Sequence, residues 1–516
     1  MNVFLKTPNG AFFEGVVWPD VTMFPDWYHP NATAFWIEQF VDNFDPESGI
    51  DIDGIWIDIN EPASMCKFPC EDPLAEARRL GMPPEPPPLR EPPRSLPNFT
   101  TSSPNPDSVF ESQAQWLVQL LEVSQNYQRQ HKLGTRGPTY PEADNHLLHP
   151  PYNISNGGPS GQLSDLTVPT NVRHANGLLE YDIHNLYGMM MSMATHQAML
   201  HRRPLLRPFI ITRSTFAGVG RYVQKWLGDN ASRWDHYRSS IAGMLGFAAI
   251  FQIPMVGSDV CGFELTPTPE LCAHWTTLGA FIPFFRNHAH DEAPPQEFYL
   301  WPLVTSAAKH AISLRYRLLD YLYRALYAQS LDSTPAINPM WYLYPSDPNT
   351  FAIDLMTDEN ATDVHIYLPD DVFYDLETGE AVRGRGEYVH LRCVPFDRIP
   401  LHVRGGCVVP MRVESANTTT ELRKKAFELL VAPGLDRTAA GMLYVDDGVS
   451  LTGSGDRLGL RFRYDGDAVG ISPMEKFHAD EEGLPDRMEK AGIRIARTTI
   501  MGQEVKGGLS GDHLRQ

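Results

Sequence analysis

The chain has 516 residues, a formal net charge of −20, and 42% hydrophobic and 11% aromatic residues, which is enough apolar material for about two to four domains and too much for a disordered chain. No Lys/Arg-rich run offsets the acidity, so nucleic acid and anionic membrane are not expected as partners, because both demand a basic surface. The longest apolar run, residues 241–256, is broken by Gln252 and Pro254 and falls short of the roughly 20 residues a membrane helix needs.

Taken in chain order, the first residues show no apolar core of signal-peptide length. Residues 11–330 then alternate short β-branched or aromatic runs with helical patterns, the mark of an α/β domain. Strands are expected at 54–58, 209–213, 224–229, 253–259 and 281–286, each ending at a charged residue. Between the first and second, residues 83–97 hold eight prolines in fifteen positions, which forbids helix and sheet ladders and predicts an extended surface loop. Asp182 is a candidate cap for a helix running to about Leu200, and Thr268-Pro269-Glu270 reads as N-cap, N1 proline and first-turn acid. Helical periodicity also marks 233–252 and 314–330. Residues 337–465 read as successive short strands separated by Gly, Asp and Pro turns, an all-β region, and from about Ser454 the chain is polar and weakly patterned.

Six cysteines fall as sequence neighbours, Cys66/Cys70, Cys261/Cys272 and Cys393/Cys407, and Asn-X-Ser/Thr acceptors occur at Asn31, Asn98, Asn153, Asn230, Asn360 and Asn417. Each alone is equally well a buried thiol or a chance tripeptide; together they favour an extracellular, secreted protein, although no signal peptide is visible. Zinc fits poorly, since the C-x₃-C at Cys66 has no second Cys or His pair nearby.

Strands that end in acids are what a parallel α/β barrel uses to assemble an active site at its carboxyl edge. Asp58 closes Gly-Ile-Trp-Ile-Asp and is followed by Asn60 and Glu61; Asp229 closes Lys-Trp-Leu-Gly-Asp. A lone strand-end Asp is more often a helix cap, but two acids flanked by tryptophan match the parts of a glycosidase, in which one carboxyl protonates the leaving oxygen and the other attacks or activates water. Arg213, Asp259, Arg286 and His288 sit at or near other strand ends and could bond sugar hydroxyls or serve as structural ion pairs. His288 with His290 could bind a metal, but no third ligand lies at suitable spacing.

The blocks Trp56-Ile57-Asp58-Ile59-Asn60-Glu61, Ile211 to Gly218, Trp226-Leu227-Gly228-Asp229-Asn230, Gly257 to Phe263 and Arg286-Asn287-His288 resemble, in order and spacing, the signature blocks of glycoside hydrolase family 31. Within it the resemblance is closest to secreted fungal α-glucosidases of maltase type, over about residues 2–450. The resemblance implies Asp58 as nucleophile, Asp229 as general acid/base and Glu61 as the neighbouring acid. It implies Trp18 and Trp226 as aromatic walls, Arg213, Asp259 and His288 as glucose-binding residues, Phe263 at the pocket rim, and Arg286 as a buried support. It further implies a Cys261–Cys272 disulfide and a retaining, exo-acting α-glucosidase of maltose and malto-oligosaccharides, working without metal or organic cofactor. Another family specificity, α-xylosidase or mixed α/β-glucosidase, is an alternative, as is an inactive carbohydrate-binding remnant.

The domains expected are a (β/α)₈ barrel portion at 1–335 with a Pro-rich insertion at 69–110, a proximal C-terminal β-sandwich at 336–411, and a distal β domain at 412–516, poorly defined after 454. Ile59 replaces the family's usual Met, a change of similar volume, and a strand is expected to be missing near 354–357. Only about five of eight βα units are countable, so a partial barrel is expected, completed by an N-terminal chain or segment.

Overall fold

The computed structural model describes residues 2–84, 145–151, 160–351, 362–451, 457–477 and 483–502. The chain divides into two compact units, Met1–Trp36 with Ile59–Met191, and Ile37–Asp58 with Ser192–Gln516. Most of the Pro-rich segment, the residues at 354–357, and the acceptors Asn98, Asn153 and Asn360 lie outside the described residues.

In the first unit, strands Glu14–Val17 and Asp20–Met23 form a hairpin closed at Val17↔Asp20, with Trp18 and Pro19 at its tip. Val16 is fully buried and packs with Cys66 and Ala77. Cys66 is disulfide-bonded to Cys70, and helix Pro73–Leu80 starts at an Asp72 cap and stops at Gly81 in the left-handed region. A charged cluster lies beneath the surface. His174 Nδ1 is 2.8 Å from Asp26 and its Nε2 is 2.7 Å from Glu180, with all three side chains nearly inaccessible. Carboxylates only accept hydrogen bonds, so a ring facing one on each side must donate from both nitrogens and carry a positive charge. The Asp26 carboxylate also accepts from the backbone N–H groups of Tyr28 and Ala175, and Glu180 reaches His184 at 3.1 Å.

In the second unit, strands Ile55–Ile57, Ile210–Thr212, Gln224–Trp226 and Val256–Gly257 form a parallel sheet in that order. Asp259–Val260 then pairs in parallel with Arg286–Asn287. These elements are shorter than the apolar runs suggest. The run 253–259 is interrupted at Ser258, and most of 281–286 is turn, with only Arg286 inside a strand. Nor is every crossover helical: between Thr212 and Gln224 the only helical element is the 3₁₀ turn Val219–Arg221, so five counts strands rather than βα units. Helix Pro269–Gly279 follows its predicted Thr268 cap and N1 proline. Asp182 differs. It lies inside helix Glu180–Ile183 and reaches back to the N–H of Leu179 at 3.1 Å, the N3 role rather than the cap itself. The patterns at 233–252 and 314–330 become helix Trp234–Leu245 with a π turn to Ile250, and helices Pro302–Arg317 and Leu319–Asp332.

The C-terminal region is mostly sheet. Val364–Leu368 pairs with Glu387–Leu391, and Val372–Asp375 lies between Ala381–Arg383 and His402–Arg404. A six-stranded sheet follows in the order Val469–Pro473, Leu458–Tyr464, Ala439–Val445, Cys407–Arg412, Phe427–Ala432, Ile495–Ile500. Strand Cys407–Arg412 runs through the boundary expected at 411/412. Three of the six strands lie beyond residue 454, where little order was expected, because Leu458, Leu460, Phe462 and Tyr464 alternate into the core beside Phe427, Leu429 and Val431. Cys393 and Cys407 are not disulfide-bonded.

Candidate active site

In the second unit Asp58, Arg213 and Asp229 lie just beyond the carboxyl ends of parallel strands, and Asp259 and Arg286 open the paired strands Asp259–Val260 and Arg286–Asn287. Alignment is maintained by bonds at the strand mouths. Arg213 N–H donates to the Ile57 carbonyl at 3.2 Å, and Leu227 N–H donates to that of Gly257 at 2.9 Å. Arg213 Nη1 lies 3.3 Å from Asp58 Oδ1, placing a fixed positive charge beside that carboxylate. Lys225 Nζ donates to the Arg213 carbonyl at 2.6 Å, tying the second strand to the third.

Asp259 is the buried member. Arg286 Nη1 lies 3.1 Å from its Oδ1, yet neither carboxyl oxygen accepts a hydrogen bond among the described residues. Burial pushes its pKa up to about 7; Asp229 and Asp58 push the same way, and Arg286 only partly opposes them. Asp58 and Asp229 thus act on one carboxyl from the ends of two strands. An unmet buried carboxyl is costly, and sugar hydroxyls are donors that would satisfy it.

Arg286 is held beneath the aromatic residues, 4.7 Å from the Trp56 ring centroid and 5.0 Å from that of Trp226. The two indoles meet edge to face at 5.4 Å. Trp226, expected as a wall, is fully buried, whereas Trp56 is 46% exposed. The accessible ring is therefore Trp56, and Trp226 supports it. His288 stacks on Phe263 at 5.2 Å and meets Trp56 edge-on at 5.8 Å. Burial, then Arg286, lowers the His288 pKa despite the two aspartates, leaving a neutral imidazole that can both donate and accept at pH 7.

Asn230 organises the rim, a role the sequence reading missed because the residue stood out only as a glycosylation acceptor. Its Nδ2 donates to the Asp259 carbonyl at 3.0 Å and its Oδ1 accepts from Phe263 N–H at 2.9 Å. The turn between them needs Gly262, at φ 95, because a Cβ there would lie 2.4 Å from the Ser232 nitrogen. The Cys261–Cys272 disulfide joins this turn to helix Pro269–Gly279. Ile59, directly after Asp58, has φ 51, a left-handed conformation that a β-branched residue rarely adopts. Its departure from the family residue is therefore a backbone matter as well as one of volume.

Trp18 and Glu61 belong to the first unit. Trp18 is 49% exposed at the hairpin tip, and Glu61 follows the buried Asn60, whose Nδ2 donates to the Gly188 carbonyl at 3.3 Å. His290 packs its ring edge against Phe263 at 5.4 Å, and among the described residues no three His, Cys, Asp or Glu side chains are grouped to hold a metal.

Residues 1–325 match the family model for the glycosyl hydrolases family 31 TIM-barrel domain, and residues 333–409 match that for the glycosyl hydrolase family 31 C-terminal domain. The probable alpha/beta-glucosidase agdC of Aspergillus fumigatus is 46% identical over 99% of this chain and 55% of its own length. The alpha-glucosidase of Mucor javanicus is 34% identical over 87% of this chain and 50% of its own. Among solved structures, the ER glucosidase II heterodimeric complex aligns with TM-score 0.72 and 27% identity, covering 98% of this chain and 46% of that one. The chain spans about half the length of the curated relatives it matches.

Proposed function

This chain belongs to glycoside hydrolase family 31 and is an enzyme of the glycosidase type, and we propose that it carries the machinery of a retaining, exo-acting α-glucosidase of maltose and malto-oligosaccharides. The observation that carries this reading is the placement of Asp58, Asp229 and the buried Asp259 just beyond the ends of parallel strands of one sheet, with Arg213 beside Asp58.

In the proposed reaction the Asp58 carboxylate attacks the anomeric carbon while Asp229 gives its proton to the departing glycosidic oxygen. The C–O bond to the aglycone breaks and a glucosyl ester forms at Asp58. Asp229, now a carboxylate, takes a proton from water, whose oxygen attacks the same carbon and frees Asp58. Two inversions give net retention. Arg213 complements the charge on Asp58, while Asp259 and His288 hold the terminal glucose by its hydroxyls, and Phe263 closes the rim. Trp56 offers the aromatic face, with Trp226 and Arg286 beneath it. Glu61 and Trp18, in the first unit, take the roles of neighbouring acid and aromatic wall by family resemblance alone. No step requires a metal or organic cofactor.

Among the described residues four parallel strand pairings lie between Ile55 and Asn287, and a closed barrel needs eight strands. We therefore include in the proposal that polypeptide upstream of this chain completes the barrel. The two disulfides and the exposed acceptors Asn31 and Asn417 support an extracellular location. The relatives named alpha/beta-glucosidase favour a second reading, in which β-glucosides are also accepted. Proton NMR of aryl α-glucoside turnover tests the first, because maltose would release its reducing glucose in both anomers: α-glucose should appear before mutarotation, and β-glucose appearing first would refute retention. Parallel assays on aryl α- and β-glucosides decide the second.

A further inference from the structure

The six-stranded sheet gathers basic residues at one rim. Strands Cys407–Arg412 and Ala439–Val445 are parallel and end at the same edge. Phe427–Ala432, antiparallel to the first, and Ile495–Ile500, parallel to Phe427–Ala432, both begin there. A cavity of about 560 Å³ opens among Arg412, Arg423, Asp446, Glu489 and Arg494.

Two of these groups are fully engaged by the fold. Arg412 is buried over Phe427 and paired with Asp320 at 2.7 Å. Asp446 accepts from Arg207, Tyr323 and Tyr444. The remaining cations are less committed. Arg423 donates one bond, to the Asp446 carbonyl, and its other nitrogen lies where a Cβ on Gly448 would sit. Arg494 makes one long bond, 3.4 Å, to the Lys424 carbonyl. Neither guanidinium has a carboxylate partner among the described residues. In a chain of net charge −20, two guanidinium groups without counter-ions on one cavity wall are a local inversion of charge. Guanidinium forks match the oxygen spacing of phosphate and carboxylate.

We propose that this cavity binds a monosaccharide bearing one phosphate or carboxylate group. The anion would sit on Arg423 and Arg494, and the ring hydroxyls would donate to Glu489 and Asp447 on the same lining. The volume is several times that of an inorganic anion and within the range of small-molecule sites. None of these residues belongs to the strand-end site, so the inference stands independently of the glycosidase reading.

The test is calorimetric titration of the full chain, with saturating glucose present to occupy the strand-end site, using glucose 6-phosphate, glucuronate and inorganic phosphate in turn. Saturable binding of glucose 6-phosphate or glucuronate is expected, weakened about tenfold by Arg494→Gln, the loss of one charge-assisted contact. The tighter of the two identifies the anion. Arg423→Gln should weaken binding as well, with unfolding curves checking that the Asp446 contact was not needed for folding. Absence of saturable binding to either sugar anion would overturn the proposal. So would inorganic phosphate binding as tightly as glucose 6-phosphate, or an unchanged affinity in folded Arg494→Gln.

Discussion

Replacing His174 by Gln removes the cation between two buried carboxylates and tests the charged cluster of the first unit. Burial alone would lower the His174 pKa, but the bonds to Asp26 and Glu180 override it and raise the group from 6.5 to about 9. At about 1.4 kcal/mol per decade, that rise corresponds to roughly 3 kcal/mol of preference for the protonated folded form. The folded pKa lies above the unfolded one, so the contribution is complete below pH 6.5 and is lost as pH rises through about 9. Asp26 behaves oppositely. Burial opposes its ionisation, but the His174 bond and the backbone donors hold its pKa below 3.8, so its contribution is present above that value and lost on further acidification. Gln at 174 leaves Asp26 and Glu180 without their shared charge, a loss of about 3 to 5 kcal/mol for a broken buried pair. Urea unfolding followed by the fluorescence of Trp27, which packs on Tyr187 in this unit, should show a wild-type decline between neutral pH and about pH 9.5 that His174→Gln abolishes. An unchanged wild-type stability across that range, or a variant as stable as wild type at pH 6, would refute the charged assignment.

Asp229→Asn should slow maltose cleavage by at least about a hundredfold while sparing much of the activity on aryl glucosides whose leaving groups need no proton; equal losses on both would remove Asp229 from the acid role. Gly262→Ala should destabilise the fold by about 2 to 4 kcal/mol, because the new methyl group meets Ser232 backbone at 2.4 Å, measurable as a lower urea midpoint with unchanged slope. After secretory expression, glycopeptide mass spectrometry should find glycan at the exposed Asn31 and Asn417 but not at Asn230, whose amide is engaged at both ends. A glycan on Asn230 would mean that the rim turn is not built as described.

The parallel strands were legible because each apolar run is short and ends in a charge. Asp58, Arg213 and Asp259 then fell together because parallel pairing aligns strand ends. What was not legible depended on partners distant in sequence. Nothing in the local pattern distinguishes the buried Trp226 from the exposed Trp56, since both sit on strands beside acids and the Arg286 guanidinium packs on both rings; only their burial in the folded chain separates them. Residues 281–286 look like a strand by composition, yet the pairing starts only at Arg286, against Asp259. Conversely, the alternation of Leu458, Leu460, Phe462 and Tyr464 was present in a polar surrounding and marks a strand whose buried face packs on Phe427–Ala432. Ile495–Ile500 shows no such alternation as an edge strand and was not readable. The engagement of Asn230 by Asp259 and Phe263 spans about thirty residues and has no local signature.

In the proposed mechanism Asp58 forms a covalent bond to glucose. A fluorinated α-glucosyl fluoride forms its glycosyl-enzyme readily but releases it slowly, so incubation with the active assembly followed by proteolysis and tandem mass spectrometry reads out the attached residue. A single glucosyl ester on Asp58, absent from Asp58→Asn, is expected. A label on Asp229, Glu61 or any other carboxyl group would contradict it.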